Sequence, residues 1–150
     1  MERLAKFQAL PLSDRLLLVQ VMFALALARL AVALLPFRLI GMWASRRPTV
    51  VASQQARSVA IERVRWAVAV CARRAPFRAK CFEQGLATQG LLRHRGVAAT
   101  LHFGAAREWE NLIAHVWITA DDEAVIGCAI KHRFFEFVRF PRPAKQGAMP

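Results

Sequence analysis

The chain has 150 residues, 56% of them hydrophobic, and a formal net charge of +12. That length fits one domain, or a compact domain with a helical arm, and that hydrophobic share excludes a disordered chain. The basic excess, mostly Arg, points to an acidic partner. Without an RNA-binding signature or aromatics interleaved on a basic strand, that partner is not expected to be nucleic acid.

Three cysteines, Cys71, Cys81 and Cys128, form no Cys-x-x-Cys pair. An odd, unpaired set argues against a disulfide framework and against structural zinc, and it fits a reducing cytoplasm. No metal or cofactor motif is present.

Leu16 to Ala28 is apolar except for Gln20, Arg29 interrupts, and Leu30 to Leu35 resumes. A spanning helix wants about 20 apolar residues, and an arginine in mid-run costs a few kcal/mol. A signal peptide would carry its apolar stretch nearer the start, before a small-residue cleavage site. The segment therefore reads as a buried or partner-facing helix, with association at a membrane surface as the alternative. Ser13 is the expected N-cap, and Pro36 stops the helix near Leu35. A short piece, Phe37 to Trp43, follows. Thr49 is the expected cap of a second long helix from Val50 to Arg73, with Ile61, Val64, Val68 and Cys71 on its apolar stripe. Val59, Trp66 and Val70 lie nearer the other face, so cover on two sides is expected.

Ala75-Pro76-Phe77 breaks that helix. A third helix is predicted from Cys81 to Gly96, with Gly96 at the C′ position after Arg95. Then the period changes to two. Val97 to Phe103 reads as a strand, Gly104 to Asn111 as a loop, Ile113 to Thr119 and Ala124 to Ile130 as strands, and Phe134 to Phe140 as a further one. Ala120-Asp121-Asp122-Glu123 reads as a hairpin turn. Helices followed by antiparallel strands indicate an α+β fold. The expected organisation is an apolar N-terminal helical segment over residues 1–48, a core over 49–143 and a flexible tail over 144–150.

Cys81 opens its predicted helix behind Arg78 and Lys80. Free N–H groups, the helix dipole and nearby cations all favour thiolate over thiol, which is how nucleophilic cysteines are made. His115 lies in a strand, within Ala114-His115-Val116-Trp117. A cysteine at a helix start and a histidine on a later antiparallel strand can form a dyad for acyl chemistry, with helix-start N–H groups serving an oxyanion. His94, His102 and His132 are expected at the surface, and Cys71 in the core. Gln84, one turn after Cys81, and Trp117, on the same strand face as His115, could line the site or simply pack.

Three blocks carry a family resemblance: Pro76-Phe77-Arg78-Ala79-Lys80-Cys81-Phe82-Glu83-Gln84-Gly85-Leu86, Leu91-Leu92-Arg93-His94-Arg95-Gly96-Val97, and Ala114-His115-Val116-Trp117. Together they resemble the transglutaminase-like cysteine proteases of lasso peptide biosynthesis, which cut the leader from a ribosomally made precursor. The apolar segment ending at Leu35-Pro36-Phe37-Arg38 is similar to the start of the stand-alone form, so the resemblance spans about residues 12–143. It implies a transglutaminase-like or papain-like core, with Cys81 as nucleophile and His115 as base. It also implies a precursor leader peptide as substrate, a separate leader-recognition protein (a RiPP recognition element) as partner, and a lasso cyclase downstream. The family's third member is an aspartate about a dozen residues after the histidine, a position that falls near Gly127. Asp121 and Asp122 are the nearest carboxylates. Six strand residues at about 3.3 Å each put Asp121 about 20 Å from His115, and a two-residue turn there would pair His115 with Cys128. The orienting group is left open between a carbonyl, Glu110, Glu136, or an aspartate brought close by a different turn.

Overall fold

The computed structural model describes residues 7–142; the expected tail, residues 144–150, lies outside them. Four helices come first: α1 (Leu12–Leu34), α2 (Phe37–Ala44), α3 (Gln54–Arg74) and α4 (Cys81–His94). Four strands follow: β1 (Thr100–Glu108), β2 (Asn111–Ala120), β3 (Glu123–Ile126) and β4 (Phe135–Phe140), with a 3₁₀ turn at Cys128–Arg133 before β4. The sheet is antiparallel in the order β3-β2-β1-β4. The expected α+β class holds.

Two helix starts differ from expectation. The N-cap of α1 is Pro11, not Ser13, since proline has the fixed φ for the position and no N–H to satisfy. The cap of α3 is Ser53, whose hydroxyl accepts from Ala56 N at 3.3 Å, so Thr49 and Val50 stay outside the helix. The strap before α3 is held instead by Ala52 N–H, which donates to Gly96 O at 3.0 Å. The end of α4 is as expected. Gly96 has φ +74°, Gly96 N donates to Arg93 O and Val97 N to Leu92 O. This is the paired hydrogen bonding that closes a helix on a left-handed residue. A Cβ at Gly96 would stand 2.7 Å from Val50 O.

One buried cluster runs from Leu17 to Phe140. Residues on both sides of position 48 contribute to this cluster. α1 contributes Leu17, Leu18, Val21, Leu25 and Ala28; α3 contributes Ala60, Ile61, Val64, Ala67, Val68 and Cys71. Of the residues expected to bring cover on a second side of α3, Val59 and Trp66 are exposed and Val70 is half-buried against the core. Arg29, which interrupts the apolar run of α1, reaches Glu83 Oε1 at 3.2 Å.

The expected loop from Gly104 to Asn111 is strand instead. β1 continues to Glu108 and turns on Trp109-Glu110 into β2, with Trp109 at φ 57°. β1 starts at Thr100, later than Val97, because Val97 is used in closing α4. The Asp121-Asp122 turn forms as expected, both residues at positive φ (45° and 67°), as a two-residue hairpin of this type requires. β3 ends at Ile126, short of Ile130. Its register shifts at Ile118, which pairs with Ile126, so His115 does not pair with Cys128.

Candidate functional site

Cys81 is the first residue of α4 and is half-buried. A buried carboxylate prepares this helix start. Glu83 is 2% exposed, accepts from Lys80 N at 2.8 Å, and is paired on its other oxygen with Arg29. The N–H groups of Cys81 and Phe82 have no acceptor among the described residues, as the first turn of a helix leaves them. Gln84 turns back to donate to Ala79 O at 2.9 Å, so it secures the chain entering α4. Phe82 packs edge-on against Phe103 at 5.0 Å. One turn beyond Cys81, Gly85 lets α4 settle on the sheet: a Cβ there would lie 2.8 Å from Leu101 and 2.9 Å from Val116.

His115 lies on β2, opposite Gly104 of β1. Strand alternation sets its direction. Val116 and Ile118 face α4, whereas His115 shares the other face with Trp117 and Thr119. Its Nε2 lies 2.7 Å from Gly127 O. A carbonyl can only accept, so Nε2 carries the hydrogen and Nδ1 keeps a lone pair for a proton. The ring is sandwiched between Trp117 (6.1 Å) and Phe134 (5.0 Å).

Of the groups left open for orienting His115, the structure places a carbonyl at the ring, from the residue in the sequence position where the family aspartate is expected. Asp121 is at the hairpin tip, paired with Arg57. Glu136 bonds His102 and Arg139 instead, and Glu110 is a turn residue. Gly127 itself has φ +70°, and a Cβ would stand 2.7 Å from Val116 O. Gly127→Ala is therefore expected to cost about 1–3 kcal/mol, from left-handed strain plus displacement of this crossing. A thermal melt unchanged from wild type would contradict that.

The structure does not join Cys81 to His115. No described hydrogen bond involves Cys81 Sγ, and the imidazole lies on the sheet face away from α4. The other thiols are occupied. Cys71 is buried, as expected, and donates to Leu18 O at 3.4 Å; burial pushes its pKa up, against a smaller lowering by Arg74. Cys128 donates to Ile118 O and Ile126 O.

One polar group escaped the sequence reading. His102, expected at the surface, is buried in β1 and stacked flat on Trp117 at 5.3 Å. Its Nδ1 lies 2.8 Å from Glu136 and its Nε2 2.9 Å from Thr119 Oγ1. Alternation along the predicted strand places His102 on the face opposite Leu101 and Phe103, and its cover comes from Trp117, Thr119 and Glu136 on the neighbouring strands, which no local pattern shows. Burial pushes the His102 pKa below its ordinary value, and Glu136 opposes this without winning. The unfolded chain therefore takes this proton near pH 6.5, where the folded protein still resists it. Stability is full above that pH and falls as the pH drops toward the lower folded value. Thermal melts should show a loss between pH 7.5 and 5.5 that is smaller in His102→Gln. An equal loss in both would show that His102 is not its source.

Among the described residues, no cluster of His, Cys, Asp and Glu has the makings of a metal site. Comparisons with curated proteins and with solved structures give no match. Residues 17–138 match the transglutaminase-like superfamily. That span holds α1 through β4 almost entire, with Cys81 opening the helix that packs on the antiparallel sheet. The chain belongs to the transglutaminase-like superfamily.

Proposed function

We propose that this protein is a cysteine protease that removes the leader from a ribosomally made lasso peptide precursor. The position of Cys81 carries the reading: a thiol at the first residue of a helix seated on an antiparallel sheet, in a chain of this superfamily. Cys81 Sγ attacks the scissile carbonyl carbon. His115 takes the thiol proton on Nδ1 and returns it to the departing amine. Water then cleaves the thioester. The free N–H groups of Cys81 and Phe82 are available to the oxyanion. In this reading the Cys81–His115 pair forms only after β2 repacks to bring the imidazole to the α4 face, because in the structure the ring lies on the other side of the sheet. A separate recognition protein presents the leader, and the freed core passes to a cyclase.

A mixture of protein, recognition protein and precursor should yield two peptides whose masses sum to the precursor plus water. A crosslinked mass instead would assign acyl transfer to an amine, a chemistry equally at home in the superfamily. A non-catalytic binding module is favoured by one observation, the separation of His115 from Cys81 by the sheet. A thiol-reactive peptide probe decides this. Selective labelling of Cys81 over Cys71 and Cys128 supports the protease, and no labelling supports the module.

A further inference from the structure

The outer face of α1 has no cover. Between Leu12 and Leu34, the side chains of Leu16, Val19, Phe23, Leu27, Leu30 and Leu34 are each more than half exposed. At roughly 100° per residue they fall within an arc of about 80°, which no polar residue shares, over about 27 Å of helix. The opposite face of α1 is packed into the domain through Leu17, Val21, Leu25 and Ala28. Arg29 is tied to buried Glu83. A helix held this way cannot leave the domain to cross a bilayer, although its length and composition would allow it. It can lie in the plane of one.

Charge identifies what covers the face. From Arg15 to Ile61 the chain has six arginines and not one acidic residue: Arg15, Arg29, Arg38, Arg46, Arg47 and Arg57. Arg38 in α2, and Arg46 and Arg47 just beyond the end of α2, are exposed and have no carboxylate partner among the described residues. Five of the ten carboxylates are on the two hairpin turns at Glu108-Glu110 and Asp121-Glu123, and those nearest α1, Asp14 and Glu83, are paired with Arg63 and Arg29. The apolar surface is also continuous into an open cleft of about 480 Å³ between α1, α2 and α4, lined by Leu27, Leu35, Leu39 and Trp43 among others. An apolar strip adjoining a purely basic region fits acyl chains below acidic headgroups.

We infer that α1 docks this protein in-plane on a lipid bilayer bearing anionic headgroups. The full chain should co-sediment with phosphatidylcholine vesicles containing phosphatidylglycerol, and far less with phosphatidylcholine alone. High salt should weaken the binding. Phe23→Glu and Leu30→Glu, both at exposed positions, should each lower partitioning on the order of tenfold or more, with the thermal melt unchanged. Leu27→Ser gives a second, gentler test should a glutamate variant fail to fold. Binding that ignores these substitutions, no binding to acidic vesicles, or a lipid-free dimer that the same substitutions dissolve would each overturn the inference. The readout needs no peptide cleavage, so it stands apart from the proposed protease activity.

Discussion

Cys81→Ala is expected to abolish leader cleavage, with a fall on the order of 10⁴-fold or more, because no other group in the site can form the acyl-enzyme. The substitution removes one sulfur from a half-buried position that donates no hydrogen bond, so the fold should persist with little change in melting temperature. The two other thiols are internal controls. Cys71 is 3% exposed and held at a carbonyl of α1, and Cys128 is engaged by two carbonyls of β2 and β3. Their alanine variants should retain cleavage as far as they retain the fold. Full cleavage by Cys81→Ala would end the thiol mechanism. His115→Ala should lose most of the rate as well, but leave Cys81 open to a small thiol reagent. Together the two variants separate loss of the nucleophile from loss of the base.

The elements governed by local chemistry were legible in the residues. Pro36 ends α1 because its ring and missing N–H stop a helix, whereas Gly96 closes α4 and Asp121-Asp122 turns the hairpin because glycine and aspartate tolerate the left-handed backbone required there. Where one local signal competed with another, reading failed. Thr49 and Ser53 are both good caps, and only the tie between Ala52 and Gly96 decides between them. Gly104 looks like the end of a strand, yet it lies within β1, because the ring of Trp117 and Phe134 fill the space a side chain would need.

The candidate site was legible only in part, for a similar reason. Cys81 at a helix start is a local feature. The orientation of His115 is not: it depends on the shifted pairing at Ile118 and on the left-handed backbone at Gly127, which brings a carbonyl to the ring. Arg29 read as a flaw in an apolar helix. Its meaning comes from Glu83, 54 residues away, a separation over which no periodicity extends. The same pair ties the face proposed for lipid to the helix that presents the candidate nucleophile.

Gln89→Leu should strongly destabilise the helical layer. Gln89 is 1% exposed, and the two hydrogens on its Nε2 are shared among three carbonyls: Ala44 O at 2.9 Å, Ala99 O at 3.0 Å and Phe140 O at 3.0 Å. These belong to the end of α2, the connection into β1 and the end of β4, so one amide ties α4 to three separate stretches of chain. The convergence of three acceptors also fixes the amide's direction, since the reversed orientation would set oxygen against oxygen. Its own Oε1 is left without a partner among the described residues. Leucine has nearly the right volume but no donor, and it would leave buried carbonyls unpaired. Each such orphan costs about 1–3 kcal/mol, so a total of about 2–4 kcal/mol is expected after partial relaxation. At this chain length that corresponds to a fall in melting temperature of about 5–12 °C. Gln89→Glu separates packing from donation. It keeps the shape, but an ionised carboxylate facing three carbonyls repels them, so it should be worse than leucine at neutral pH and recover on acidification. A melt of Gln89→Leu within a degree of wild type would show that the three carbonyls find other donors, and that this crossing does not hold the helical layer to the sheet.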